Sequence, residues 1–368
     1  MKWEELIREN VVSAEELREY LNLTQTEYEN IRDEISLFPM SVTKYYLSLI
    51  DSDDPEDPVR KMSIPAGNVV LTEGRLDTSG EQSNTKMQGL QHKYGETVMV
   101  LTTQDCAMFC RHCFRRRLVG KATDEIAIDM DAVADYIRSD PRINNVLLSG
   151  GDSFMQPTER IEMWLDRMSA LDQLDFIRFG TRIPVTFPQR ILLDQDLCDV
   201  LARYRTKKQI YVVTHFNHPK EITGEARAAI KALQETGVVV KNQTVFMRGI
   251  NDTSEVLAEL LRMITSLGIV QHYIFQCRPV KGVQSRFQVP IAQGSRIVQK
   301  ALALQNGLGK SADYTMSHVT GKIRILGENQ NGEMVFQYKQ AKDPAKIGQI
   351  FTMKLRDDDT WLPDHIDI

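Results

Sequence analysis

Three of the chain's five cysteines, Cys106, Cys110 and Cys113, fall within CAMFCRHCFRRR, with Arg111, Arg115, Arg116 and Arg117 beside them. As thiolates they are metal ligands, and the spacing CxxxCxxC decides which metals they suit. A structural zinc site has four closed donors, usually in pairs, so zinc would need His112 as the fourth in a cramped Cys3His arrangement. An iron–sulfur cubane held by three cysteines leaves one iron open to bind and reduce a small molecule. Three unliganded thiols in one short stretch is the weakest of the readings.

Other residues of chemical interest sit just after apolar runs: SGGD (Ser149, Gly150, Gly151, Asp152), TRIP, THFNHP with His215, NQT with Gln243, and QCRP with Arg278. Glycines in SGGD let backbone approach a ligand closely. The forked guanidinium of Arg115 suits a carboxylate, whereas Arg116 and Arg117 read as a solvated basic face. Cys198, in the helical pattern QDLCDVLARY, reads as a small buried hydrophobe.

The elements that must position these residues follow from periodicity. TVMVLTT, NNVLLSG, FIRFG, IYVVT, VVVKNQTVF and VQHYIFQC are six short apolar strands alternating with amphipathic helices. That order predicts an α/β fold with a parallel sheet, a partial (β/α)6 barrel two units short of a closed one, carrying its site on the C-terminal face. Residues 1–92 read as an N-terminal helical region, with Ser and Thr caps at SAEELREYLN and TQTEYENIRDEI, plus a crossing segment. Residues 93–322 read as the barrel core. Residues 323–368 read as a C-terminal extension opening on a hairpin with Asn331-Gly332 at its turn.

With 368 residues, 42% hydrophobic and a net charge of −5, the chain is ordinary globular material. The acidic balance argues against nucleic acid as a partner, and no apolar run is long enough to span a membrane. Acids where a secretion signal would be apolar, and an odd cysteine count, point to the cytoplasm.

CAMFCRHCFRRRLVG, LLSGGD, RFGTRIPVTFPQRI, THFNHPKEIT, KNQTVFMRGIND and YIFQC, in that order, resemble the lysine 2,3-aminomutase family of the radical SAM superfamily, which includes glutamate 2,3-aminomutases. The resemblance runs from FPMSVTKYYLSLI to the GK at 321–322. It implies a 4Fe–4S cluster on Cys106, Cys110 and Cys113, with S-adenosyl-L-methionine chelated to the open iron and cleaved to a 5′-deoxyadenosyl radical. Ser149, Gly150, Gly151, Asp152, His215 and Gln243 would line its pocket. It implies pyridoxal 5′-phosphate in Schiff-base linkage to a lysine; the counterpart is Lys322 in YTMSHVTGKIRIL, with Lys310 a weaker rival. Arg115 would grip the α-carboxylate of a small amino acid substrate. An external electron donor of flavodoxin or ferredoxin type, and association with copies of itself, complete the expectation.

Two departures matter. Where the family holds the cofactor phosphate with arginines, this chain has Lys93 and Thr97, and only the first can supply charge. Where lysine-specific members carry two aspartates for the distal ammonium, it has Arg278 and Thr315, with Asp313 two residues away. An arginine there opposes a lysine side chain and favours an acidic one. No cysteine follows Cys277, so a structural zinc in the tail is not expected. The alternatives are a radical enzyme of the same fold without pyridoxal phosphate, and a non-catalytic iron–sulfur redox protein.

Overall fold

The alternation in the apolar runs becomes the two faces of a sheet. In the computed structural model, which describes residues 2–67, 69, 71–120 and 123–366, twelve strands are hydrogen-bonded neighbours in chain order. They are β1 (Thr85–Met87), β2 (Leu90–Tyr94), β3 (Thr97–Thr103), β4 (Asn145–Gly150), β5 (Phe176–Gly180), β6 (Gln209–Thr214), β7 (Val239–Phe246), β8 (Val270–Gln276), β9 (Asp313–Ser317), β10 (Gly321–Glu328), β11 (Met334–Ala341) and β12 (Ile350–Met353). Pairing is parallel from β3 to β9 and antiparallel at both flanks.

All six predicted strands are present, as β3 to β8. A seventh parallel strand, β9, joins them; its DYTMS is too short and polar to stand out as a buried run. The helices that return the chain between parallel strands include α1 (Met130–Ser139), α2 (Thr158–Ser169), α3 (Gln195–Arg205), α4 (Gly224–Glu235), α5 (Ser254–Ser266) and α6 (Ile291–Ala303). Side chains cap the first turns of four of them: Asp129, Asp194, Thr223 and Thr253 each accept from free backbone N–H groups there.

Val98, Val100, Val146, Leu148, Ile177, Phe179, Ile210 and Val212 face these helices in one core cluster, which also contains Cys198. The intervening residues, among them Met99, Ser149, Arg178, Lys241 and Gln243, lie on the other face, inside the curve of the sheet. A second cluster, with Ile274, Met316, Ile323, Phe336 and Phe351, lies beneath β8 to β12.

Upstream of the sheet, the capping boxes Ser13/Glu16 and Thr24/Glu27 form as expected, although the first helix is only Ala14–Leu17. The expected crossing segment is built more firmly: Glu81–Asn84 is a short helix leading into β1 and β2. The Asn331-Gly332 hairpin joins β10 to β11, with Gly332 at φ 73°. The expected 322/323 boundary falls inside β10. The tail is anchored by Leu362 and Ile366 in the second core, by Gln276 Nε2 donating to the Thr360 carbonyl (2.9 Å), and by an Arg75–Asp364 ion pair. Among the described residues no helix is long and apolar enough to cross a membrane.

Candidate active site

The cysteine loop leaves the C-terminal end of β3 and is clasped by the SGGD turn. Gly151 N donates to the Thr103 carbonyl and Asp152 N to that of Asp105, each at 2.7 Å. A Cβ on Gly150, whose φ is +123°, would lie 2.1 Å from the Thr103 oxygen, and one on Gly151 would lie 2.4 Å from that of Asp105. The glycines therefore admit the backbone of the cysteine loop itself. The Asp152 carboxylate is also committed: it accepts from Thr181 Oγ1 and the Arg182 N–H, both at 2.6 Å, and caps Phe154.

Cys106, Cys110 and Cys113 are partly exposed free thiols. Burial pushes the Cys106 thiol well up and Cys113 to about 11; the neighbouring sulfurs of Cys113 and Cys110 raise Cys106 further, and that of Cys110 raises Cys113. Such mutual effects require proximity, yet among the described residues no three His, Cys, Asp or Glu side chains converge on a single-ion position. His112 stands edge-on to Phe287, with its Nδ1 unpartnered. Burial and the nearby Arg182 hold His215 near about 4, so it is neutral; the Gln243 backbone hydrogen-bonds to its ring.

Arg115 is buried and fully engaged. Its Nε donates to Glu81 Oε1 (2.8 Å), Nη1 to Ser149 Oγ (3.0 Å) and Nη2 to Met99 Sδ (2.7 Å). Glu81, which no motif singles out, also pairs through Oε2 with Arg117 (2.9 Å). Burial pushes the Glu81 carboxyl up, but the guanidiniums of Arg115, Arg278 and Arg117 outweigh it and keep it ionised. Arg116 and Arg117 are not a solvated face. Arg116 donates to the Lys281 and Gly282 carbonyls and stacks on Phe38, while Arg117 bridges Glu81 and Glu125. Clustered arginines look alike in sequence; only packing against the N-terminal region and the loop after β8 buries these.

Arg278 follows β8 and is half-buried, with its carbon Cζ 4.1 Å from the Phe114 ring centre. Nη2 donates to Ser317 Oγ (2.9 Å), Nη1 has no acceptor, and burial lowers the group to about 10. Thr315 is fully buried, its hydroxyl donating to the Asp313 carbonyl. Asp313 is occupied by Arg324 and Lys339.

Lys322 lies in β10, its Nζ over the rings of Tyr273 (4.6 Å) and Phe275 (5.9 Å), and among the described residues it has no hydrogen bond or ion pair. Burial first, then Arg178, Arg278, Lys339 and Lys93, lower its pKa to about 7. Lys310, by contrast, is exposed. Lys93 donates to the His318 carbonyl (2.6 Å) and is likewise lowered to about 7 by burial. Thr97 bonds Asn145, which also accepts from Arg178 Nη2 (2.5 Å); Arg178 Nε is unpartnered. A guanidinium on β5 thus stands beside the position where Thr97 supplies no charge.

These residues lie inside the curve of the sheet, the chamber of the molecule, and on the loops at its C-terminal edge, and the chain that carries them matches known sequences. Residues 100–261 fit the Radical SAM superfamily. The L-lysine 2,3-aminomutase of Clostridium subterminale is 36% identical over 81% of this chain and 71% of its own length. The glutamate 2,3-aminomutase of Clostridioides difficile is 33% identical over 83% and 71%. This chain belongs to the lysine 2,3-aminomutase family of radical SAM enzymes. Family membership implies a 4Fe–4S cluster and S-adenosylmethionine, and the three thiols fit the cluster. Among solved structures, a radical SAM methyltransferase from Sphaerobacter thermophilus is similar at a TM-score of 0.39 and 20% identity, over 61% of this chain and 68% of that one. That likeness is too loose to add to what the sequence relatives show.

Proposed function

We propose that this family member is a pyridoxal-phosphate-dependent 2,3-aminomutase that converts an acidic, glutamate-like α-amino acid to its β isomer. The observation that carries the reading is Lys322: a half-buried amine over two aromatic rings, lowered to about 7 and, among the described residues, free of any ion pair, is a nucleophile at neutral pH, as imine chemistry requires. When bound, the cluster and S-adenosylmethionine supply hydrogen abstraction from an unactivated carbon, and pyridoxal phosphate carries the migrating nitrogen.

The chain's own residues then divide the work. Cys106, Cys110 and Cys113 hold the cluster, and Ser149, Gly150, Gly151, Asp152, His215 and Gln243 frame the sulfonium pocket. Lys93 and Arg178 hold the phosphate, Arg178 taking the part that Thr97 cannot. Arg115 takes the α-carboxylate. The substrate replaces Glu81 on its Nε, while Arg117 retains Glu81 through the other oxygen. Arg278, with an unpartnered Nη1 beside Thr315 and Ser317, takes the side-chain carboxylate. A lysine ammonium there would meet a half-buried guanidinium without a compensating charge.

Anaerobically reconstituted protein should turn glutamate into its β-isomer in preference to lysine and arginine. Preferred turnover of lysine would overturn the assignment of Arg278. Turnover chemistry without any borohydride-reducible pyridoxal adduct at Lys322 would favour a radical enzyme that works without that cofactor. Failure to form 5′-deoxyadenosine under reducing conditions would leave a non-catalytic redox protein.

A further inference from the structure

One buried cation in the chamber is aimed at a cluster thiol and not at a substrate. Arg182 follows β5, and its backbone N–H is fixed by Asp152. Its Nη1 donates to Cys110 Sγ at 2.8 Å and its Nε to the His215 carbonyl at 3.1 Å. Nη2 meets Glu221 Oε1 and Tyr46 Oη. Glu221 is fixed in turn: Tyr46 donates to Oε1 at 2.6 Å, and the backbone N–H groups of Asn217 (2.6 Å) and His218 (3.0 Å) donate to Oε2. Arg182 is 8% exposed, and Tyr46 and Glu221 are 0% exposed. Among the described residues no side-chain donor reaches the sulfur of Cys106 or Cys113.

We propose that Arg182 sets the reduction potential of the cluster through its hydrogen bond to Cys110, with Glu221 and Tyr46 fixing its plane and Glu221 tempering its charge. This rests on the reading that Cys110 ligates the cluster. Reduction brings one electron from an external flavodoxin- or ferredoxin-type carrier, which is oxidised; no bond forms or breaks at Arg182, which keeps its protons. The added negative charge is stabilised by a guanidinium bonded to a ligating sulfur, in surroundings that screen poorly. The buried carboxylate on the far side of the guanidinium acts in the opposite sense. Arg182 is thus a tuning residue in TRIP, Glu221 its counterweight in HPKE and Tyr46 its support from the N-terminal region.

The test is an EPR-monitored reductive titration of the reconstituted protein without S-adenosylmethionine. Arg182→Met is expected to lower the ratio of reduced to oxidised cluster at a fixed potential about tenfold, equivalent to about 59 mV for one electron. Glu221→Gln is expected to move it the other way, a sign that loosened packing would not produce. Should Arg182→Met fail to load iron, Arg182→Lys, which keeps the charge but not the fork, is expected to shift by less than half as much while Glu221→Gln still moves upward. Potentials equal to wild type, or both substitutions shifting in one direction, would overturn the proposal. So would an unchanged potential with weakened S-adenosylmethionine binding, which would make Arg182 a ligand contact. Cys110→Ala tests the premise separately: a full cluster in that variant would overturn the ligand assignment and the proposal with it, whereas lost iron together with unshifted Arg182 and Glu221 variants would overturn the tuning alone.

Discussion

At the cysteine-loop end of the chamber, Arg111, Arg115, Arg117 and Arg182 each bond to a carboxylate: Glu34, Glu81, Glu81 with Glu125, and Glu221. Around Lys322, Lys339 and Arg324 share Asp313, but among the described residues four other cations bond no carboxylate. Lys93 meets a carbonyl, Arg178 an amide, Arg278 a hydroxyl and Lys322 two aromatic rings. A half-buried charge without a bonded counterion is costly, so chains do not accumulate four of them without use. Most of the first region is thus neutralised from within, Arg116 with its two carbonyl acceptors being the exception. On the function proposed above, the second would take its counter-charge from a phosphate and a carboxylate. The chain as a whole is acidic, which makes this concentration of unpaired cations a local construction.

The contrast can be broken in several places. Cys110→Ala should have the largest effect, removing cluster iron and bringing 5′-deoxyadenosine formation to background, read by iron analysis and chromatography. Lys322→Ala should abolish the borohydride-trapped pyridoxal adduct and cut turnover on the order of 10³-fold or more. In the wild type the neutral amine is the reactive form, so adduct formation should rise with pH through about 7 and level off above, well below the usual lysine range. A midpoint near 10 would contradict the burial argument.

Within the neutralised region, Glu34→Gln leaves Arg111 buried without its ion pair and should cost about 3–5 kcal/mol in denaturant unfolding. Arg278→Gln, in the unpaired region, should leave stability unchanged or improved and raise KM for an acidic substrate roughly 10- to 100-fold, the effect of one charged hydrogen bond. A large loss of stability there would mean that Arg278 has a structural partner after all. The smallest effect belongs to the exposed Arg75–Asp364 tether: Arg75→Ala should cost less than about 1 kcal/mol in thermal unfolding.

Much of this was legible in advance. The apolar runs placed six parallel strands, and Ser13, Thr24 and the Asn331-Gly332 turn marked local structure correctly, because each depends on neighbours within a few residues. β9 escaped notice because its pattern is short and half polar; pairing with β8 makes it a strand. Glu81 escaped because an acid among polar residues carries no local signal. Arg116 and Arg117 were misread for the converse reason, since a run of arginines looks like a surface until distant segments cover it. The glycines of SGGD were rightly seen as sites of close approach, but the approaching group is the backbone at 103–105.

By itself the sequence determined the family, the order of strands and helices, and the three thiols on one loop. Those are properties of spacing and periodicity, which survive without knowledge of the fold. Tertiary structure alone decided which cations are neutralised and which are left over. It gave Glu81 to Arg115 and Glu221 to Arg182, and left Lys322 among cations and aromatic rings. Charge pairing and burial depend on residues tens to hundreds of positions apart, and no local pattern encodes them.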